Sequence, residues 1–99
     1  MLYAIIARDR EDSLEYRRRV REKHLQRLDA LREEGRLILA GPHPAIDSDD
    51  PGPAGFTGSL IVAEFPDLAS AESWAAGDPY VTDGVFVDYV VKPFKKVMP

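Results

Sequence analysis

The chain has 99 residues, no cysteine, and a formal charge of −4 from 13 lysines and arginines against 17 aspartates and glutamates. That length makes one domain with a modest core, and the missing thiols exclude a disulfide frame or a thiolate metal site. The negative balance speaks against nucleic acid unless the basic residues segregate onto one face, and with no membrane-length apolar run and no basic-then-apolar leader a cytoplasmic location is the expectation.

"LYAIIA" at residues 2–7 is a short apolar run of strand formers and predicts the first strand. Asp12 and Glu15 have the spacing of a capping box and Gly35 suits a helix C′ position, so residues 13–34 form the first helix. "RLILAG" at 36–41 is a second strand. Residues 42–58, rich in proline, glycine and aspartate, form a surface loop. "SLIVAEF" at 59–65 is the third strand. A short helix over 67–76 follows, introduced by Pro66 and Asp67 and closed by Gly77. "DPYVTDG" reads as a turn or a single helical turn, with Asp78 as N-cap and Pro79 at N1. "VFVDYVV" at 85–91 is the last strand, ended by Pro93.

The order β-α-β-β-α-β is the split βαβ plan of α+β, ferredoxin-like domains: a four-stranded antiparallel sheet with both helices on one face. A sheet wet on its other face would alternate apolar and polar residues, and these strands barely do. A second copy of the chain is the simplest cover, so a homodimer packed through the sheet faces is expected.

The first helix carries seven basic and seven acidic side chains over residues 11–35, including Glu15 with Arg19 and Arg18 with Glu22 at i, i+4. Most of its arginines therefore belong to a self-neutralised, solvated face. On a wheel of about 100° per residue, Val20, Leu25, Leu28 and Leu31 make an apolar stripe that also contains His24, Arg17 and Arg21. Arg18, Arg19, Lys23 and Arg27 point elsewhere.

A histidine in such a stripe is ordinarily a core residue satisfied by one hydrogen bond. Here it shares its face with two arginines that are hard to bury without an anion or a wet cavity. Helical rise also brings Asp78, just past the second helix, to about the height of His24. A histidine oriented by a carboxylate is an acid/base pair. Asp78 as a plain N-cap is the competing reading, and Asp83 is a second candidate for its role.

His43, Asp47, Asp49 and Asp50 lack a metal-ligand spacing and read as a solvated loop, so no metal or cofactor is expected. Ser59 sits in no nucleophile elbow but can donate a hydrogen bond to a ligand. Gly52, Gly55 and Gly58 do not form a phosphate loop. Trp74 and Tyr80 read as core or pocket wall.

With these residues in hand, the sequence resembles the YciI-like (YCII-related domain) family of dimeric α+β barrels over nearly its whole length. The resemblance rests on "R-x-x-H-L" (Arg21, His24, Leu25), "L-x-x-x-G" leading into "A-G-P" (Leu31, Gly35, Ala40, Gly41, Pro42), "G-S-L-x-V" (Gly58–Val62) and "D-P-Y" (Asp78, Pro79, Tyr80). It implies a ferredoxin-like fold, dimerisation through the sheet, and a His-Asp dyad at His24 and Asp78. It also implies cofactor-free proton abstraction and elimination, as in relatives that handle small chlorinated or lactone-type ring compounds. The long acidic loop 44–57 departs from the pattern and bears on ligand choice.

The sequence thus predicts a cofactor-independent enzyme performing elimination, isomerisation or dehydrochlorination on a small anionic organic molecule. His24 and Asp78 would be catalytic, and Arg21, Arg17, Ser59, Tyr80 and Pro42 would contact substrate. No nucleic-acid or membrane partner is expected. The alternative is a non-catalytic small-ligand-binding or dimerisation module.

Overall fold

In the computed structural model, which describes residues 1–99, the chain runs β1 (Leu2–Asp9), α1 (Leu14–Glu33), β2 (Leu37–Pro44), a 3-10 turn (Gly52–Ala54), β3 (Phe56–Glu64), α2 (Leu68–Ala76), α3 (Pro79–Thr82) and β4 (Phe86–Phe94). The strands form one antiparallel sheet in the order β2-β3-β1-β4. This is the ferredoxin-like βαββαβ arrangement expected from the element order.

Side chains alternate across β1. Tyr3 and Ile5 join Ile61 and Ala63 of β3, Leu28 and Leu31 of α1, and Ala71 and Ala75 of α2 in the main core. Ala7 joins Val20, Tyr80, Val85 and Phe86 in a smaller cluster at the other end. The opposite sheet face leaves Ile6, Leu39, Val90 and Phe94 exposed.

Three strands, β1, β2 and β4, overrun their predicted C-terminal ends. β2 continues through Pro42 and Pro44, and β4 through Pro93. Both are edge strands, where a proline can point its missing N–H away from the ladder without losing a bond. β3 likewise starts early, at Phe56, so the expected 42–58 loop shrinks to residues 45–55.

The ends of α1 differ from each other. No capping box forms. Asp12 lies in the left-handed region at φ 56°, and Ser13 is the N-cap without a side-chain cap bond. Its hydroxyl donates instead to Asp9 at 2.6 Å. At the far end Gly35, at φ 73°, closes the helix as expected. Its N–H donates to Arg32 O at 3.0 Å and that of Arg36 to Leu31 O at 2.9 Å, the paired bonds of a Schellman motif. Along the solvated face the expected i, i+4 pairs give way to Arg18–Glu15 at 3.3 Å and Arg32–Asp29 at 3.0 Å. No helix is long and apolar enough to cross a membrane.

Candidate active site

α1 and the α2–α3 junction bring two buried polar side chains together. His24, 6 % exposed, points its Nδ1 at both oxygens of Asp78, 2.9 Å from each. Asp78 is 2 % exposed and caps α3, with Oδ1 accepting the Tyr80 N–H at 2.8 Å. Asp78 is therefore both the N-cap and the histidine's partner. With Nδ1 facing a carboxylate, the neutral ring carries its proton there and leaves the lone pair on Nε2. Nε2 has no protein partner and is not sealed off.

His24 opens on a cavity of about 420 Å³ between α1 and the β2–β3 edge of the sheet. Leu25, Leu28, Ala40, Pro42, Phe56 and Ile61 give it apolar walls. Leu25, placed inside the apolar stripe by the wheel, is 38 % exposed at the cavity mouth.

The polar groups of the cavity divide into anchored and free ones. Arg17 is buried and anchored: Nε donates to Asp9 Oδ2 at 2.7 Å and Nη2 to Asp9 Oδ1 at 2.9 Å. Nη2 also reaches Gly58 O and Ser59 Oγ, each at 3.0 Å. Only Nη1 remains for a ligand. Because Ser59 accepts from Arg17, its own O–H is left to donate into the cavity. Arg21, placed by the wheel on the inward stripe, is instead exposed at the rim and makes no ion pair, its long stem carrying the charge out to solvent, whereas Arg18 beside it is paired with Glu15.

Tyr80 lies flat against the His24 ring, and its hydroxyl makes no protein hydrogen bond. Burial, the largest influence, raises its phenol above the ordinary 10.0, against the opposing charges of Arg17 and Arg21. At physiological pH it is a neutral O–H donor.

Two residues escaped the sequence reading. Asp9, which fixes Arg17, continues the inward alternation of Tyr3, Ile5 and Ala7, and that period was the signal available. Arg27, assigned to the solvated face, turns back to donate to Trp74 O at 2.9 Å, and its side chain is only 28 % exposed. Its long stem carries the guanidinium around the helix edge. Other candidates stay apart from His24. Asp83 is exposed beyond α3 and accepts from Thr82, and His43 is exposed in β2. Asp47, Asp49 and Asp50 lie in the exposed 45–55 loop, and no group of three ligating side chains gathers anywhere. Trp74 packs against the main core, tilted 52° to Phe65.

Residues 1–95 match the YCII-related domain. The chain is 60% identical over 97 residues to Protein YciI of Escherichia coli O6:H1, covering 98% of this chain and 99% of that one. It is 56% identical, with the same coverage, to an uncharacterized protein of Haemophilus influenzae. Among solved structures it is similar to 5-chloro-2-hydroxyhydroquinone dehydrochlorinase (TftG) from Burkholderia phenoliruptrix AC1100 in complex with 2,5-dihydroxybenzoquinone. That likeness has a TM-score of 0.83 and 26% identity, over 96% of this chain and 94% of the other.

Proposed function

This chain belongs to the YCII-related domain family, and from that premise we propose that it is a cofactor-independent enzyme acting on a small, ring-shaped oxyanion by general acid/base elimination, dehydrochlorination being the nearest chemistry. One observation carries the reading: an imidazole whose Nδ1 is held by a buried carboxylate while Nε2 opens on a cavity of small-molecule size.

In this reaction His24 Nε2 takes a proton from the bound ring. The electron pair released forms a carbon–carbon or carbon–oxygen π bond and expels the leaving group, as chloride where the ring carries one. His24 becomes an imidazolium facing Asp78 and returns its proton to water as the product leaves. Arg21 and the free Nη1 of Arg17 hold substrate oxyanions, Ser59 and Tyr80 donate O–H bonds to them, and Pro42 with the apolar walls covers the ring faces. Isomerisation uses the same groups, with the proton returned to another atom of the ring. The likeness to a dehydrochlorinase solved with a dihydroxybenzoquinone favours a ring substrate of this class. A second copy of the chain covers the exposed apolar sheet face in this proposal.

The test is chloride and proton release from 5-chloro-2-hydroxyhydroquinone and related hydroxylated rings, by wild type and His24→Ala. Turnover by wild type, lost in a folded His24→Ala, is the expected result. Binding of 2,5-dihydroxybenzoquinone with no turnover of any ring would establish the binding-module alternative instead.

A further inference from the structure

We propose that Arg27 is the fixed counter-charge of the His24–Asp78 pair, a positioning residue that keeps Asp78 a carboxylate while His24 gains and loses its proton. The inference rests on the acid/base reading of His24 given above.

Asp78 is buried, and a buried carboxylate needs a compensating charge or a full set of donors. Its Oδ1 has the Tyr80 N–H at 2.8 Å. Its Oδ2 has only the shared His24 Nδ1 and, 3.9 Å away, Nη1 of Arg27. His24 is neutral for half of any acid/base cycle, so it cannot be the permanent partner. A guanidinium stays charged throughout.

Arg27 is also held in place for this task. Nη2 donates to Trp74 O at 2.9 Å, at the carbonyl end of α2, and the guanidinium lies over the Trp74 ring at 4.4 Å. Nη1 is wholly buried with no hydrogen-bond partner in the chain. A sealed, unpartnered N–H beside a buried carboxylate signals an electrostatic role. The 3.9 Å gap leaves Asp78 free to give its short bonds to His24 and to the α3 cap.

The other charged and titratable groups near the ring are Arg17, Arg18 and Arg21 from its own helix, Tyr80 from α3, and Asp9 of β1 behind Arg17. They are the same in every variant of the test. That test is an NMR pH titration of the His24 ring nitrogens in the full-length protein, without ligand, in wild type, Arg27→Met, Arg27→Lys and Asp78→Asn. Arg27→Met is expected to move proton uptake by the pair to higher pH by about one unit or more, as for charges a few ångströms apart. Arg27→Lys keeps the charge and should stay with wild type. Arg27→Gln, which retains a donor for Trp74 O, takes the place of Arg27→Met if that variant does not fold.

A neutral variant that loses thermal stability but titrates like wild type would show Arg27 to be structural only and overturn the proposal. Asp78→Asn separates the two readings. If it moves the His24 profile and the neutral Arg27 variant does not, the acid/base pair stands and the role of Arg27 falls. If Asp78→Asn leaves the profile unmoved, the pair itself fails and the counter-charge with it.

Discussion

His24 and Tyr80 lie face to face, their ring centroids 3.9 Å apart and their planes within 5° of parallel. Tyr80 also meets the edge of Phe86 at 5.4 Å, so the imidazole rests on an aromatic stack rooted in the smaller core cluster. The orientation of the histidine is thus set twice, by the carboxylate at Nδ1 and by the ring beneath it.

Tyr80→Phe keeps this stack and removes only an O–H that bonds to nothing in the chain. Its unfolding free energy in urea should stay within about 1 kcal/mol of wild type. Tyr80→Ala opens a cavity in the stack and should cost about 3–5 kcal/mol. Equal losses in the two variants would mean that the hydroxyl, and not the ring, carries the stability.

The same tyrosine gives a pH signature. Burial raises the phenol above its ordinary 10.0, so the folded state disfavours the phenolate that an unfolded chain forms. Its contribution is fully present below pH about 10 and is lost as pH climbs through the higher folded value. The stability difference between wild type and Tyr80→Phe should therefore be flat at neutral pH and shift against wild type in strong base. A difference that stays flat to the alkaline end would refute the burial argument.

Arg17 and Asp9 form a two-pronged ion pair with side chains 9 % and 0 % exposed. Arg17→Met leaves the Asp9 carboxylate buried without its cation and should cost about 3–5 kcal/mol by denaturant unfolding. The double variant Asp9→Asn with Arg17→Met should recover a good part of that loss. Strict additivity of the two changes would show that they are not coupled.

The open sheet face carries Ile6, Leu39, Val90 and Phe94 exposed, crossed by the Arg8–Asp88 pair at 2.6 Å. If a second copy covers it, sedimentation should find a dimer, and Val90→Glu should convert it to a folded monomer. A wild-type monomer at high micromolar concentration would dismiss that cover.

Much of this was legible in the sequence, for reasons that particular residues make plain. Element order gave the sheet topology, and helical rise put Asp78 level with His24. The wheel placed Arg17 and His24 inward because their Cβ directions decide their burial. It failed for Arg27, whose stem is long enough to bring its charge back to Trp74 from the edge of the stripe. Asp9 was hidden because a lone acid at a strand end reads as a boundary until the arginine it meets is known. Pro42, Pro44 and Pro93 misled as strand terminators because a sequence does not announce which strands lie at an edge.

The tripeptide Asp78-Pro79-Tyr80 starts α3, orients the imidazole and supplies the ring beneath it, all within three consecutive positions. Substitutions there alter the α3 cap and the setting of the His24 ring at one stroke, which leaves little room for gradual change. Across the cavity, Ala40 and Pro42 offer apolar wall, away from the His24–Asp78 pair. On the acid/base reading proposed above, divergence toward new ligands has its freer path on that side, where pocket shape can drift while His24 and Asp78 stay put.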